Sequence, residues 1–282
     1  MTSNFIKKSF AMLISSNPLL GASNVSKDGS SFSIDLNGNG LNIPKSALNT
    51  QLSVVSSEIW YNTPNVIAGV NDQIVITYNS NLVVITIPSG LYTIGEIGPT
   101  ILRELLASNP TNLIVQDIVS NNLIKIEAEN NQGKVKITLA LTATTTSLIV
   151  DLSSTQSIGQ MLGFNTTVMA PIYSFSNLDP KFNGFNYYLI QSDMVSSGIR
   201  VGPSYNQIIA KVLVQANPNE QVLYQPNIAS LVDASNLAGD NRRRYTFRLL
   251  DDSYNTIDTR GEYYSIQLRI SYYEPINFSV IN

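Results

Sequence analysis

From Tyr264 to Tyr272 the chain alternates strictly. Tyr264, Ile266, Leu268, Ile270 and Tyr272 share one side, and Ser265, Gln267, Arg269 and Ser271 share the other. A period of two over nine residues buries one face of an antiparallel strand and no face of a helix. The pattern recurs upstream. Tyr245, Phe247 and Leu249 alternate with Arg244, Thr246 and Arg248, while Ile208, Ala210, Val212 and Val214 share a face opposite Lys211 and Gln215. Turn-forming clusters, Asn217-Pro218-Asn219 and Asp251 to Asn255, separate the runs. Further strands are expected at 185–191 and 221–225. Near the start, Phe32, Ile34 and Leu36 alternate, and 52–61 reads as a longer strand that holds the only tryptophan, Trp60. Short strands at this interval suit a sandwich. Strands at both ends of the chain fit one sheet system whose first and last members pair.

In the middle the period changes. Ile74 to Tyr78 and Leu82 to Ile87 read as a hairpin across Asn79-Ser80-Asn81. Thr93 and Glu96 then stand at capping-box spacing. Ile97, Ile101, Leu102, Leu105 and Leu106 follow at helical intervals until Asn109-Pro110. Pro99 implies a kink or a helix that begins there. Strands are expected near 113–119, 123–128 and 134–141. A short helix is expected at 157–162, with Gly163 at its left-handed cap. Residues 70–170 thus read as an α+β module set inside an all-β framework.

Composition narrows the function. The 282 residues contain no histidine and no cysteine. The usual general base, metal ligand and thiol nucleophile are therefore all missing. The hydrophobic fraction of 43% suffices for a real core. Charged residues make up 13%, about half the usual share. Asn, Ser, Thr and Gln fill the polar places. Such a surface disperses weakly and fits either assembly with partners or an AT-rich coding bias; the two are compatible. A net charge of −3 argues against general nucleic-acid binding. No apolar run reaches the roughly 18 residues of a membrane span. At the N-terminus, Lys7 and Lys8 precede the five-residue apolar run Phe10 to Ile14. That run is shorter than the roughly 7–15 residues of a secretion signal. Residues 1–28 are therefore expected to form an arm, with Phe5 and Phe10 among the side chains that need a partner surface.

The chemical candidates are few. Asp251, Ser253, Asn255 and Glu262 stand at calcium-loop positions, but Thr256 replaces the required glycine and the flanks are strands. A turn is the simpler reading. Arg242-Arg243-Arg244 is the only basic run. It reads as a solvated strand entrance, as an anchor for a neighbouring subunit's carboxylates, or as a contact to packaged nucleic acid. Tyr263, Tyr264, Tyr272 and Tyr273 suggest core and interface packing, with sugar stacking as the alternative. The sequons at Asn24, Asn165 and Asn277 arise easily in so Asn- and Ser-rich a chain. No serine-nucleophile pattern occurs. The expectations are no enzyme activity and no cofactor.

An ordered set of phrases carries a resemblance. Phe32 to Leu36 leads to Ile43 to Asn49, and Ile59-Trp60-Tyr61-Asn62-Thr63-Pro64-Asn65-Val66 follows. Ile87 to Thr93 precedes a helix, and Met161-Leu162-Gly163-Phe164 comes after one. Phe247 to Asp251 and Tyr264 to Leu268 close the series. Spanning most of 30–275, it resembles the penton or minor capsid proteins of virophages, Polinton-like viruses and adintoviruses. The resemblance implies a mainly β protein, a single jelly-roll β-sandwich over 29–69 plus 171–282 with the α+β domain 70–170 inserted. It further implies a virion location after synthesis in the host cytoplasm. The expected partners are four identical copies in a pentamer at the fivefold vertex, a double jelly-roll major capsid protein, and a fibre or host receptor on the insertion. The alternatives are a receptor- or glycan-binding spike and a minor protein between capsomers. Arg260-Gly261-Glu262 stands in place of the adhesion motif of the adenovirus penton, which puts an integrin-binding role in doubt.

Overall fold

The computed structural model describes residues 5–36, 40–129, 133–182, 184–201, 204–205 and 207–276. Two compact units emerge, Met1–Asn62 with Phe185–Asn282, and the contiguous Thr63–Gly184. In chain order, the first unit opens with β1 (Phe5–Ser15), β2 (Ala22–Ser23), β3 (Ser31–Asp35) and β4 (Leu48–Trp60). The second holds β5 (Gln73–Tyr78), β6 (Asn81–Thr86), α1 (Ile94–Ser108), α2 (Leu113–Ser120), β7 (Ile124–Glu129) and β8 (Lys134–Leu139). It ends with β9 (Leu148–Asp151), α3 (Gly159–Leu162), β10 (Thr167–Met169) and β11 (Ile172–Phe175). The chain returns to the first unit through β12 (Tyr187–Ser192), β13 (Arg200–Val201), β14 (Ser204–Tyr205) and β15 (Ile208–Leu213). It closes with β16 (Gln221–Tyr224), β17 (Val232–Asp233), β18 (Arg244–Leu250) and β19 (Ser265–Pro275).

The first unit is a jelly roll. One sheet runs β1-β19-β4-β16, with β17 also on β4, and the other runs β15-β12-β18-β3-β2. Its eight principal strands pair as nested antiparallel partners. β1 lies on β19, β3 on β18, β4 on β16 and β12 on β15, so the first meets the last and the fourth meets the fifth. Folding such a nested ribbon over itself yields two packed four-stranded sheets. Side chains alternate as the pleat requires. Ile266, Leu268 and Ile270 point inward from β19, Leu52, Val54 and Ile59 from β4, and Tyr245, Phe247 and Leu249 from β18, all buried. At the centre Phe32 stacks on Phe247 with ring centroids 5.5 Å apart and meets Tyr264 edge-on at the same distance. A smaller cluster of Leu189, Ile208 and Leu250 lies apart from the main core.

Two expectations are corrected here. Residues 5–15, expected within an arm, form β1, which is hydrogen-bonded along its whole length to β19. The pattern was hidden by Lys8, which occupies the core-side parity of buried Ile14 but sits near the sheet's end and pairs with Glu274 at 2.8 Å. Residues 113–119, expected as a strand, are helix α2. Asn112 Oδ1 accepts from the Ile114 and Val115 amides at its start, and Val115 and Ile118, three apart, are its buried residues.

The second unit has its own core, built from Ile74, Ile76, Ile101, Leu105, Ile137 and Val150 among others. Its strands form the sheets β10-β9-β5-β6 and β11-β8-β7. The unit is wider than the expected 70–170 because buried Val66 belongs to this core and β11 pairs with β8. Helix α1 starts at Ile94, where the Thr93 amide and hydroxyl both donate to Glu96 Oε2 at 2.7 and 2.8 Å. It continues through Pro99. The bond lost there falls on Gly95, which is exposed, so water satisfies the carbonyl. Gly163 caps α3 at φ 79°, and its amide donates to the Gln160 carbonyl at 3.2 Å.

Candidate functional site: exposed edges and arginines

Strand β1 is the longest sheet edge among the described residues, and no described strand pairs with its outer side. A row of free amides and carbonyls is a template for another chain. Apolar side chains accompany it. Phe5 is 43% exposed, Ile6 49% and Leu13 75%, while Phe10 is half-buried. Leu13 stands opposite Gln267 and Ala11 opposite Arg269, so they share the outward face of the sheet with Ser265 and Ser271. On the far side of that sheet, Leu223 on β16 is 69% exposed and stands opposite Glu58. The face thus mixes small and apolar side chains and serines with the charges of Lys7, Arg269 and Glu58. Lys8 has the opposite, core-side parity, and the Glu274 carboxylate holds its ammonium above the usual lysine range.

The arginine triplet leads into β18. Arg242 donates to Asp240 Oδ2 at 2.8 Å, lies 3.6 Å from Asp193 and sits over the Tyr245 ring. Arg244 forks Asp35 on β3 at 2.7 and 3.2 Å. That fork pulls the Asp35 carboxyl below its ordinary range. Burial pushes the Tyr245 hydroxyl up to about 12, aided by Asp240. Arg243 is exposed, and its carbonyl accepts from the Leu36 amide. The outer two arginines thus clamp the chain's own acids.

The other candidates resolve into structure. Asp251 accepts from the Ser253 and Asn255 amides, each at 2.8 Å, and Asp252 takes the Asn186 amide at 3.0 Å. Asp251 is thus a turn acceptor, and Asp252 ties that turn to the residue just before β12. Among the described residues no group of three or more metal-binding side chains is placed to hold an ion. Tyr264 and Tyr272 are core, whereas Tyr263 is 48% exposed, so the tyrosines do not form one surface platform. Asn24 and Asn165 are exposed, while Asn277 lies outside the described residues. No helix among the described residues is long and apolar enough to cross a membrane.

An exposed aromatic pair that the sequence patterns did not single out lies on β11. Tyr173, 61% exposed, meets Phe175 edge-on at 5.7 Å, and Lys136 lies over the Tyr173 ring. The available signal was alternation within Ile172 to Phe175, too short to separate from a loop.

No protein-family model matches the sequence, and no curated protein matches it. Among solved structures the chain is similar to that of the selenomethionine-labelled mavirus penton protein, at 13% identity and a TM-score of 0.48. The similarity covers 96% of this chain and 100% of that one.

Proposed function

We propose that this chain is a structural protein of a viral capsid and acts as the penton, a homopentamer at the fivefold vertices. The observation that carries the reading is the β1 edge. A jelly roll that leaves the outer side of an eleven-residue strand without a partner among the described residues, with Phe5, Ile6 and Leu13 exposed beside it, is built to be covered by another chain. The sequence resemblance supplies the vertex role, and the charge-poor composition favours a surface spent in contacts.

In such a ring one flank of each sandwich meets a different flank of the next copy, and the ring closes when the rotation fits. Phe5 and Phe10 lie on the flank assigned to that contact. Arg243, between the self-paired Arg242 and Arg244, is the member of the triplet available to a neighbour's carboxylate. The major capsid protein of the facets is the second partner, and the virion is the site of action. The chain carries no enzyme activity and needs no cofactor in this role. Native mass spectrometry of the purified full chain tests the reading. A pentamer is expected. A strict monomer at high concentration, with no rings on grids, overturns it.

A second reading draws on Tyr173 and Phe175. Exposed rings beside Lys136 suit a glycan or receptor contact by the inserted unit. Binding on a glycan array that disappears in Tyr173→Ala would support it, and an array without signal removes it.

A further inference from the structure

Arg248 shares the outward side of β18 with Arg244, which stands two residues after Arg242, and it differs from both. Arg242 and Arg244 each hold an aspartate. Arg248 has no ion-pair or hydrogen-bond partner among the described residues, and its strand neighbours are Gln191 on β12 and Ser31 on β3. Neither neighbour can neutralise it. Nor is the guanidinium on a convex surface. It lines a cavity of about 180 Å³ together with Gln191, Ser192, Asp193, Gln207 and Thr246.

The lining defines what fits. Asp193 is the one acid, and it is already engaged. Its Oδ1 accepts the Thr246 amide at 2.9 Å, and its Oδ2 lies 3.6 Å from Arg242. Ser192 Oγ accepts the Met194 amide at 3.2 Å, and Gln207 Nε2 donates to the Val195 carbonyl at 3.0 Å. Thr246 Oγ1 shares a long bond of 3.4 Å with Ser33. Four groups keep capacity among the described residues: the Arg248 fork, the whole Gln191 carboxamide, the Gln207 Oε1 acceptor and the Ser192 hydroxyl proton. Arg242 is shared between Asp240 and Asp193, so among the described residues Arg248 is the lining cation with no acid bonded to it, and its single charge suits a monoanion. A dianion such as phosphate would carry a second charge toward Asp193 with no second free cation to meet it. The volume is below the roughly 300 Å³ at which small-molecule pockets begin, so the site takes one side chain rather than a whole metabolite.

We infer that this cavity on the outer face of the β18 sheet is a docking site for a single carboxylate, the side chain of a glutamate or aspartate on a partner polypeptide, forked by Arg248 and braced by Gln191. Planar guanidinium and planar carboxylate match bidentately, which makes the contact directional as well as attractive. The site is independent of the β1 edge and of the pentamer reading, since it lies on the other sheet.

Arginine labelling of the full chain by phenylglyoxal, read residue by residue by mass spectrometry, tests the assignment in any oligomeric state. The probe is N-acetyl-glutamate N-methylamide, and its glutamine counterpart serves as the uncharged control at equal ionic strength. Arg248 is expected to label readily and to be protected saturably by the acid but not by the amide, while Arg242 and Arg244 stay unchanged. Gln191→Ala should weaken that protection about tenfold, the weight of one hydrogen bond to a charged group. Equal protection by acid and amide, or none by either, overturns the site. Parallel slowing of all arginines reduces the effect to bulk charge and overturns it too. Stronger protection by inorganic phosphate overturns the monoanion assignment. Unchanged protection in Gln191→Ala leaves Arg248 a lone surface charge and overturns the pocket.

Discussion

Tyr264 shows how one side chain ties sequence pattern to stability. Its ring fills the core edge-on to Phe32, and its hydroxyl, buried with it, donates to the Ser30 carbonyl at 2.9 Å. Burial pushes that hydroxyl far above the ordinary tyrosine range, with the Asp28 charge adding to the effect. Tyr264→Phe keeps the ring but removes one of the two hydrogen bonds to the Ser30 carbonyl, which still accepts the Leu249 amide at 2.8 Å. Chemical denaturation should show a loss of about 0.5–1.5 kcal/mol; no change in midpoint would mean that the Leu249 amide alone satisfies the carbonyl. Gly163 is the second such residue. At φ 79° an added Cβ would also stand 2.5 Å from the Leu178 carbonyl oxygen. Gly163→Ala should therefore destabilise the second unit by more than the roughly 1 kcal/mol of the left-handed backbone alone, as seen in its thermal midpoint. A mutant as stable as the parent would mean that the Leu178 backbone moves aside without penalty. Gly163 was legible in the sequence because a short helix ending on glycine has one common geometry. Arg248 was not. Its alternation with Phe247 and Leu249 placed it outward, but only the fold shows that Asp35 and Asp240 serve the neighbouring arginines and leave it alone.

At the scale of elements, legibility followed length and locality. β19, β18 and β15 were readable because each alternates over most of its span with no intruder. β1 was not, since Lys8 breaks the apolar parity and its partner Glu274 lies at the other end of the chain. Five of the seven residues from Leu113 are apolar, and four of those (Ile114, Val115, Ile118 and Val119) are β-branched, which favours strand by propensity. The Asn112 cap and packing against α1 decide for helix. The β1 edge then makes a prediction of its own. Leu13 is 75% exposed on the outward face, so replacing it removes little from the fold. Leu13→Lys should leave the thermal midpoint of the isolated chain unchanged while weakening self-association by tenfold or more, as truncating a buried interface leucine costs about 1.5–3 kcal/mol. Sedimentation equilibrium reads the effect. Identical association in parent and variant would place the subunit contact elsewhere on the sandwich.

At the scale of the whole molecule, the nested order of the strands follows from the sequence only in part. Strands expected at both chain ends implied one shared sheet system, and 52–61 does lie on β19, but the strand expected at 31–36 pairs with β18, and the pairing of β4 with β16 spans the entire second unit with no local signal to mark it. What composition fixes globally is the response to pH. With no histidine, no side chain has an ordinary pKa between about 5 and 8. The shifts seen lie outside that window. Asp35 is lowered by the Arg244 hydrogen bonds, and Asp117 by the hydroxyls of Thr142 and Thr145. Asp151 is lowered by the Ser153 hydroxyl and amide, and Asp233 first of all by the Ser196 hydroxyl. A carboxylate with a depressed folded pKa contributes stability that is complete above its unfolded pKa and is lost as pH falls through the folded one. These groups therefore act only below about pH 4. Tyr245 and Tyr264 are shifted the other way. Their contribution is complete below the ordinary tyrosine pKa of about 10 and is lost as pH rises beyond it. The thermal midpoint and the degree of self-association should accordingly be flat from about pH 5 to 8 and fall on the acid side below about 4. A sigmoidal step centred near pH 6 in the isolated chain would contradict this, because no side chain present has an ordinary pKa there. In a particle that opens at mildly acidic pH, the proton-sensing group would then belong to another subunit.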